Sequence, residues 1–378
     1  MGAFGAEATL GDAVDLGLQR SSNSALVIGS QLSSVELKNG WLAAQPHLEA
    51  SYIDSRESEG IDESLISLQV PIKTSAQRKA DERLIALHPE AADNMLRLRR
   101  LDMSGRVREL AWAHRIAALT LERSEARLQT ITGLAAKSRQ LAESGATPPY
   151  QALVLEQAAI DSQIAVTRAR NQVAGALNRF TALTGLAEVP KPMEVATAVE
   201  QPSFVTHPLL RDLDIAYAME MATATATDQN RTNWNLALLA RRFEGPGYDE
   251  DQYGVEVQIP ISFLGSQNVS KEANAVQIRR HYQLQRDQTL LQLRDTWLSL
   301  ERERSELQEE ARLLHQSEEA YSRMEALLTQ LSSTSEIESE LLFNRLLEIQ
   351  DRRTRLWLLP ALLGRNNARL NQAAGESL

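Results

Sequence analysis

Residues 64–72 read Ser-Leu-Ile-Ser-Leu-Gln-Val-Pro-Ile, and a closely similar stretch, Tyr-Gly-Val-Glu-Val-Gln-Ile-Pro-Ile, recurs half a chain later at 253–261. Both alternate with a period of two, which is typical of a β-strand with one apolar face. Each is followed by a long charged stretch with helical spacing, a small-residue break and a second helical stretch. The two copies lie half a chain apart, a repeat length far longer than the roughly 20–50 residues of solenoid repeats. The sequence therefore predicts a duplicated unit of strand, strand, long helix, turn and long helix.

The strands are predicted as two hairpins, one in each half of the chain, because pairs of alternating runs are separated by polar or glycine-rich loops. They span His47–Asp54, Ser64–Ile72, Trp234–Phe243 and Tyr253–Ile261, with loops at 55–60 and 244–251.

Long helices follow each hairpin, since apolar residues recur there at helical spacing within charged sequence. Pro89 should kink or locally break the first of them, and Pro360 should bend the last. Gly185 is expected to cap the helix that begins near Pro149. The helical stretches are 75–143, 149–183, 208–229, 269–331 and 336–373, after a modest amphipathic region at 8–45.

The domain organisation follows from the duplication. We expect a first structural repeat at 1–187, a proline-rich linker at 188–207 and a second repeat at 208–378, with the β part near 47–72 and 234–261.

Composition favours long helices over a sheet-centred enzyme. Charged residues make up 24% of the 378 residues and aromatic residues only 5%, a composition typical of coiled coils. The net charge of −10 argues against a nucleic-acid partner, since that surface needs a basic stripe. No run approaches the 18–20 apolar residues of a transmembrane helix, and Met1–Ala6 lack the hydrophobic core of a complete signal peptide.

Catalytic, metal and cofactor sites are not predicted. The chain has no cysteine, so disulfides and thiolate metal sites are excluded. Its six histidines are scattered without the spacing of zinc ligands. There is no glycine-rich phosphate loop and no Gly-x-Ser-x-Gly elbow.

Four short strands cannot close a barrel by themselves, and open strand edges are a liability. Strands of about nine residues with one apolar face are long enough to cross a bilayer when tilted. If that face meets lipid, the strands must close with other subunits, and three chains would give a twelve-stranded barrel. The alternative is an ordinary small sheet packed on helices.

Several segments together resemble the outer membrane efflux protein (TolC) family over residues 7–376. They are Ala8–Leu18 with Asn23, Leu68–Ile72, Gly254–Ile261, Ser144–Gly145 with Ala152–Glu156, Glu340–Arg345, Ala182–Gly185 and Leu370–Gly375. Asn233–Leu236 and Gly245–Tyr248 are similar to the heavy-metal-efflux (CzcC-like) branch.

The resemblance implies a mainly α protomer with a small β part. Its long coiled-coil helices would form an α-barrel, and its four strands would join a twelve-stranded trimeric β-barrel. It implies an outer-membrane exit duct, extending into the periplasm of a Gram-negative bacterium, that passively conducts metal cations or drugs. The implied partners are two further copies of the chain, a periplasmic adaptor, an inner-membrane pump of the RND type and outer-membrane lipid. A duct for type I protein secretion and a soluble coiled-coil scaffold remain the alternatives.

The resemblance also carries over two helix-turn-helix tips. The expected adaptor-docking residues are Ser144, Gly145, Ala146, Thr147, Ser333, Thr334 and Ser335, and the expected pore constriction comprises Glu143, Gln151, Glu336 and Glu338. Thr334 stands where the family usually has glycine. Gln151, Leu331 and Glu336 occupy the archetype's acidic, tyrosine and arginine gating positions, so its ion-pair latch does not carry over.

The acidic residues at the tips have two interpretations. Three copies of each around a pore would favour cations. Alternatively, acids in the first turn of a helix are stabilised by the helix dipole. Substituting Glu336→Gln and Glu338→Gln separates the two, with Glu303→Gln on a charged helix stretch as the control.

If the acids ring the pore, both tip variants should reduce the cation preference of single trimers in planar bilayers, because each removes three negative charges. The control should not change it. An unchanged preference in the tip variants would rule out the filter.

Overall fold

The computed structural model describes residues 8–22, 40–191, 193, 202–228, 234–259, 269–331 and 339–378. Its elements, in chain order, are α1 (Leu10–Ser22), β1 (His47–Ile53), β2 (Asp62–Ile72), α2 (Ser75–Glu143), α3 (Pro149–Thr184), α4 (Pro208–Asp228), β3 (Trp234–Gly245), β4 (Tyr248–Gln258), α5 (Val269–Leu331) and α6 (Ser339–Ala373). A short 3₁₀ turn, Phe204–Thr206, precedes α4.

The chain divides into two compact units. The first takes its described residues from Met1–Ile28, Arg97–His207 and Leu290–Leu378, and the second from Gly29–Leu96 and Pro208–Thr289. Each unit therefore draws on both halves of the sequence, and the repeat boundaries at 187 and 208 stay a prediction.

The four strands form one antiparallel sheet in the second unit, in the order β1-β2-β3-β4. The pairings Ile66↔Ala240 and Ala240↔Tyr253 define its register. The predicted strands are confirmed, the last of them as far as Gln258, since Pro260 and Ile261 lie outside the described residues. The loop predicted at 244–251 is wrong. The turn residues explain why β3 and β4 extend into the predicted loop.

Only Pro246 and Gly247 connect β3 to β4. Proline favours the first central position of a type II turn, and Gly247, at φ +82°, supplies the positive φ that the second position needs. The acidic residues after the turn resemble a loop in composition. They are accommodated in β4 because they are exposed and because Asp249 pairs with Arg242 at 3.3 Å.

The long helices have the predicted bounds within a few residues. Gly185 caps α3, with φ +83° and its N–H donating to the Thr181 carbonyl at 2.7 Å. Pro149 lies in the first turn of that helix, as expected. No break occurs at Pro89, which lies inside the continuous helix α2.

Helix α6 likewise runs through Pro360. A proline inside a helix removes one backbone hydrogen bond and crowds the preceding turn. The residues on both sides of Pro360, Leu359 and Ala361, are buried. Packing of these neighbours stabilises the helix on both sides of the interruption, since tertiary contacts contribute most of a helix's stability.

In the first unit, α1 packs on α2 and α3 through one apolar cluster: Leu10, Ala13, Val14, Met103, Val107, Ala111 and Phe180. The helix begins with a reciprocal cap. Thr9 N–H donates to the Asp12 carboxylate at 2.8 Å, and Asp12 N–H donates to Thr9 Oγ1 at 3.1 Å. The Thr9 N–H and the Thr9 hydroxyl, which donates to the same carboxylate at 2.8 Å, lower the pKa of Asp12. The reciprocal hydrogen bonds satisfy backbone donors at the helix start.

The C-terminal segment is fastened to α2 by two arginines. Buried Arg108 donates from Nη1 to the Gln372 side chain at 2.8 Å and to the Glu376 carbonyl at 2.7 Å. Arg100 donates to the Leu378 carbonyl at 3.0 Å and to Asp15 of α1 at 2.7 Å. Charge-assisted hydrogen bonds of this kind hold α1, α2 and the end of α6 in one arrangement.

In the second unit, α4 meets α5 through a polar and aromatic contact. The rings of Tyr217 and Tyr282 stack with centroids 4.3 Å apart. Asp214 accepts from the Tyr282 hydroxyl at 2.6 Å and from Arg286 Nε at 3.2 Å. Burial, followed by the hydrogen bond to Asp214, raises the pKa of Tyr282. The phenol therefore stays a donor throughout the physiological range.

A second cluster in the first unit depends on a helix glycine. Trp112 packs with Leu119, Ala361 and Ala368. A Cβ added at Gly364 would lie 2.1 Å from the Trp112 ring, whereas one added at Gly175, in α3, would meet no atom within 4 Å. Gly364 therefore leaves space for the Trp112 indole, whereas Gly175 faces open space.

We therefore expect opposite effects from the same substitution at these two positions. Gly364→Ala should destabilise the chain by about 1–3 kcal/mol through overpacking against Trp112. Gly175→Ala should stabilise it by about 0.5–1 kcal/mol through helix propensity. Thermal unfolding followed by circular dichroism measures both, and equal shifts of the midpoint would contradict the packing at Gly364.

Candidate functional site

The turn between α2 and α3 is a compact glycine-capped reversal. Gly145 adopts φ +76° and donates to the Ala142 carbonyl at 3.1 Å, while the N–H of Ala146 donates to the Leu141 carbonyl at 2.9 Å. This pair of hydrogen bonds is a Schellman motif, which satisfies the last carbonyls of a helix. The Ser144 hydroxyl also donates to the Leu141 carbonyl, at 2.9 Å. The tip thus has a defined backbone conformation.

The structure brings together the first set of predicted tip residues. Glu143 ends α2, the turn residues follow it, and Gln151 lies in the first turn of α3, its N–H donating to the Pro148 carbonyl at 3.1 Å. The second set, Ser333, Thr334, Ser335, Glu336 and Glu338, lies outside the described residues. The proximity of the two tips and their constriction of a pore remain predictions.

Sequence reasoning missed two residues at this tip. Tyr150 and Leu153, on the first turns of α3, are 66% and 62% exposed. Large apolar side chains next to a turn are a recognisable signal of a contact surface. They lie beside the predicted docking residues and make the tip partly apolar.

An ion pair joins the two helices behind the turn. Arg139 of α2 donates from Nε to the Glu156 carboxylate of α3 at 2.8 Å. That hydrogen bond, followed by the charge of Glu156 and more weakly that of Glu143, raises the pKa of Arg139. The Arg139 side chain is 60% exposed, so solvent screens the pair. The buried cluster of Ile131, Ala135 and Leu155 contributes more to holding the hairpin closed.

The sheet of the second unit has one almost wholly apolar face. Residues directly opposite one another share a face, so the register places these side chains together: Leu48, Ala50, Ile66, Leu68, Val70, Leu236, Leu238, Ala240, Tyr253, Val255 and Val257. This apolar face is exposed. Val255, near its centre, is 67% exposed, and Leu48 is 69% exposed.

The opposite face is largely polar and in part more enclosed. On it, Ser67 and Ala237 are only 2% and 5% exposed. Gln69 donates to Glu49 at 2.8 Å and accepts from Asn235 at 3.3 Å, so a hydrogen-bonded row crosses three strands. Glu63, Gln252, Glu256 and Gln258 share this polar face with a minority of apolar residues, Ile53, Leu65, Leu239 and Phe243. A water-soluble sheet normally buries its apolar face, and this one does the reverse.

The two edge strands, β1 and β4, each pair on one side only within the described chain. Their outer N–H and C=O groups form a template for further strands. At the hairpin end, the apolar face gives way to a charged rim that includes Arg242, Glu244, Asp249 and Asp251.

The described residues contain no group of three or more His, Asp or Glu placed to hold a metal ion. None of their helices is long and apolar enough to span a membrane.

Solved structures share this architecture along almost the whole chain. The outer membrane protein VceC of Vibrio cholerae superposes with a TM-score of 0.75 at 13% identity, covering 98% of this chain and 97% of that one. CusC, a protein that changes conformation on folding and transmembrane channel formation, superposes with a TM-score of 0.73 at 12% identity, covering 97% of this chain and 92% of that one. The CmeC outer membrane channel of Campylobacter jejuni gives 0.70 at 12%, with 97% and 85% covered.

The chain has the TolC-like fold. The predicted fold class is thereby confirmed, and the family resemblance is confirmed at the level of the fold. No protein-family model and no curated protein matches the sequence. The CzcC-like branch stays a prediction.

The left-handed conformation at the tip leads to a testable difference. Gly145→Ala should destabilise the turn by about 1–2 kcal/mol, because an L side chain crowds the following carbonyl at positive φ. Asparagine visits this region more readily than alanine, so Gly145→Asn should cost less. Amide hydrogen exchange of Gly145 or its replacement and Ala146 measures the effect. Identical exchange in the alanine and asparagine variants would contradict the turn geometry.

Proposed function

We propose that this protein is a passive exit duct in an outer membrane, which conducts substrates out of the cell from a pump and an adaptor. The observation that carries the proposal is the exposed apolar face of the sheet, opposite a polar face. Exposing such a face to water is unfavourable, because each Å² of apolar surface left in water costs a free energy of about 25 cal/mol. In hydrocarbon the same face has no such cost.

The dimensions of the apolar face agree with this role. On β3 it extends from Trp234 to Ala240, roughly 20 Å at about 3.4 Å per residue. Outer-membrane barrels carry an apolar band of about 25 Å, bordered by aromatic residues. Trp234 lies at one border of the face, and Tyr52 lies near the other. The charged rim then reaches the aqueous side.

The open edges of the sheet support a trimer. A bilayer tolerates no unpaired strand edge, because unsatisfied backbone groups in hydrocarbon cost several kcal/mol each. Four strands from each of three chains would close a twelve-stranded barrel with the polar face lining the lumen. Water in that lumen would hydrate the row of Glu49, Gln69 and Asn235. In this proposal the chain conducts substrates and contributes no catalytic group.

The α2–α3 tip is the proposed docking site for the adaptor. Its exposed backbone turn and the neighbouring Tyr150 and Leu153 offer both polar and apolar contacts. Glu143 and Gln151, with Glu336 and Glu338 of the second tip, are the proposed constriction. The pump is proposed to be of the RND type, and metal cations or drugs are the proposed cargo.

A duct for type I protein secretion shares the sheet and the tips, and co-purification of the pump distinguishes it. The soluble scaffold is disfavoured by the exposed apolar face, since that face would promote aggregation in water.

Adjacent residues on β4 test the orientation of the sheet. Val255→Arg places a charge at the centre of the apolar face and should cost about 2–4 kcal/mol in the bilayer. Glu256→Arg is the matched control, with the same new side chain on the polar face, and should leave assembly nearly intact. The measurement is the amount of detergent-extracted trimer in the outer-membrane fraction.

A lower trimer yield for Glu256→Arg than for Val255→Arg would show that the polar face, and not the apolar face, meets lipid. Equal yields for both, or a detergent-free monomer, would contradict the membrane duct itself.

A further inference from the structure

A cleft of about 680 Å³ lies in the first unit between α2, α6 and the residues that follow α3. Trp112 and Trp357 contribute indole rings to its walls, and Leu119, Met193 and Pro360 add apolar surface. Small-molecule sites have volumes of roughly 300–1,000 Å³ and mainly apolar walls with a few polar groups. The cleft has the size and the walls of a ligand site, and the duct function does not use it.

The charged residues of the cleft are all of one sign. Arg115 and Lys191 line it together with His114, and none of its lining residues in the described chain is acidic. The pKa of His114 is lowered, first by burial and then by the charges of Arg115 and Lys191. Both cations therefore act on the same small volume. A cleft with unbalanced positive charge and partly desolvated walls attracts anions.

Trp112 forms one wall of the cleft and is itself nearly buried, at 7% exposed. Contact between the ring and Gly364 fixes the position of this indole.

The indole of Trp357 is restrained by an arginine. The guanidinium of Arg123 lies 3.9 Å from the centroid of the Trp357 ring, which is a cation–π contact. It restrains the ring. Two restrained indoles form walls that suit a flat aromatic group, because aromatic pairs gain energy beyond their buried area.

We propose that this cleft binds a small aromatic carboxylate. The aromatic ring packs against Trp112 and Trp357, and the carboxylate lies between Arg115 and Lys191. Arginine suits this role because its planar fork can donate two parallel hydrogen bonds to one carboxylate. The site is separate from the duct and does not depend on it.

Calorimetric titration of the full chain in detergent with 1-naphthoate tests the site. The neutral isostere 1-naphthamide, which keeps the ring and loses the charge, should bind at least tenfold more weakly. The double variant Arg115→Gln/Lys191→Gln should bind naphthoate at least tenfold more weakly as well. Arg168→Gln, which removes an exposed charge on α3 away from the cleft, is the matched control and should not change affinity.

Circular dichroism of each variant establishes that it is folded. Failure of naphthoate to bind at millimolar concentration would overturn the site. Equal affinity for acid and amide, or an unchanged affinity in the double variant, would overturn it too.

Discussion

An apolar sheet face can stay exposed only where its surroundings are apolar, and this constraint governs the second unit. Leu238 on β3 and Val255 midway along the edge strand β4 are exposed on one face, while Ser67 and Ala237 are nearly inaccessible on the other. In water, the burial of apolar surface is the main favourable contribution to folding. The proposed duct would supply lipid on one side of the sheet and further strands at its edges.

The first unit is stabilised differently, by helix ends and specific side-chain contacts. Its helices are mostly polar along their length, so the ends and a few clusters define where they start, stop and pack. The Gly145 turn reverses the chain, Arg108 holds the C-terminal segment on α2, and Gly364 admits the Trp112 ring. A rigid hairpin with a defined tip suits docking, since an ordered surface loses little conformational entropy on binding.

Much of this architecture could be predicted because it depends on short-range patterns. The alternation at 64–72 predicted β2, and the break at 144–147 predicted the end of α2. One error arose where a tertiary contact outweighs local composition. The acidic residues after Gly247 resemble a loop, yet cross-strand pairing with β3 makes them part of β4. Of the two outcomes expected at Pro89, a kink or a local break, the break does not occur.

The candidate site divides in the same way. Glu143 to Gln151 could be placed at a tip because a glycine and two prolines mark a helix-turn-helix. The charged cleft beside Trp112 could not be foreseen, since its lining does not follow from neighbours in sequence. His114, Lys191 and Trp357 are far apart along the chain, and only the packing of α2 and α6 brings them to one cleft.

The order of strands and helices, their approximate ends and the two-faced character of the strands were determined by the sequence itself. These features depend on the periods of two and 3.6 residues and on local turn chemistry, which act within a few residues. The tertiary structure decided which sheet face is exposed, how β3 turns into β4 and which distant side chains share a cleft. Those outcomes depend on contacts between residues far apart in the chain, and no local pattern encodes them.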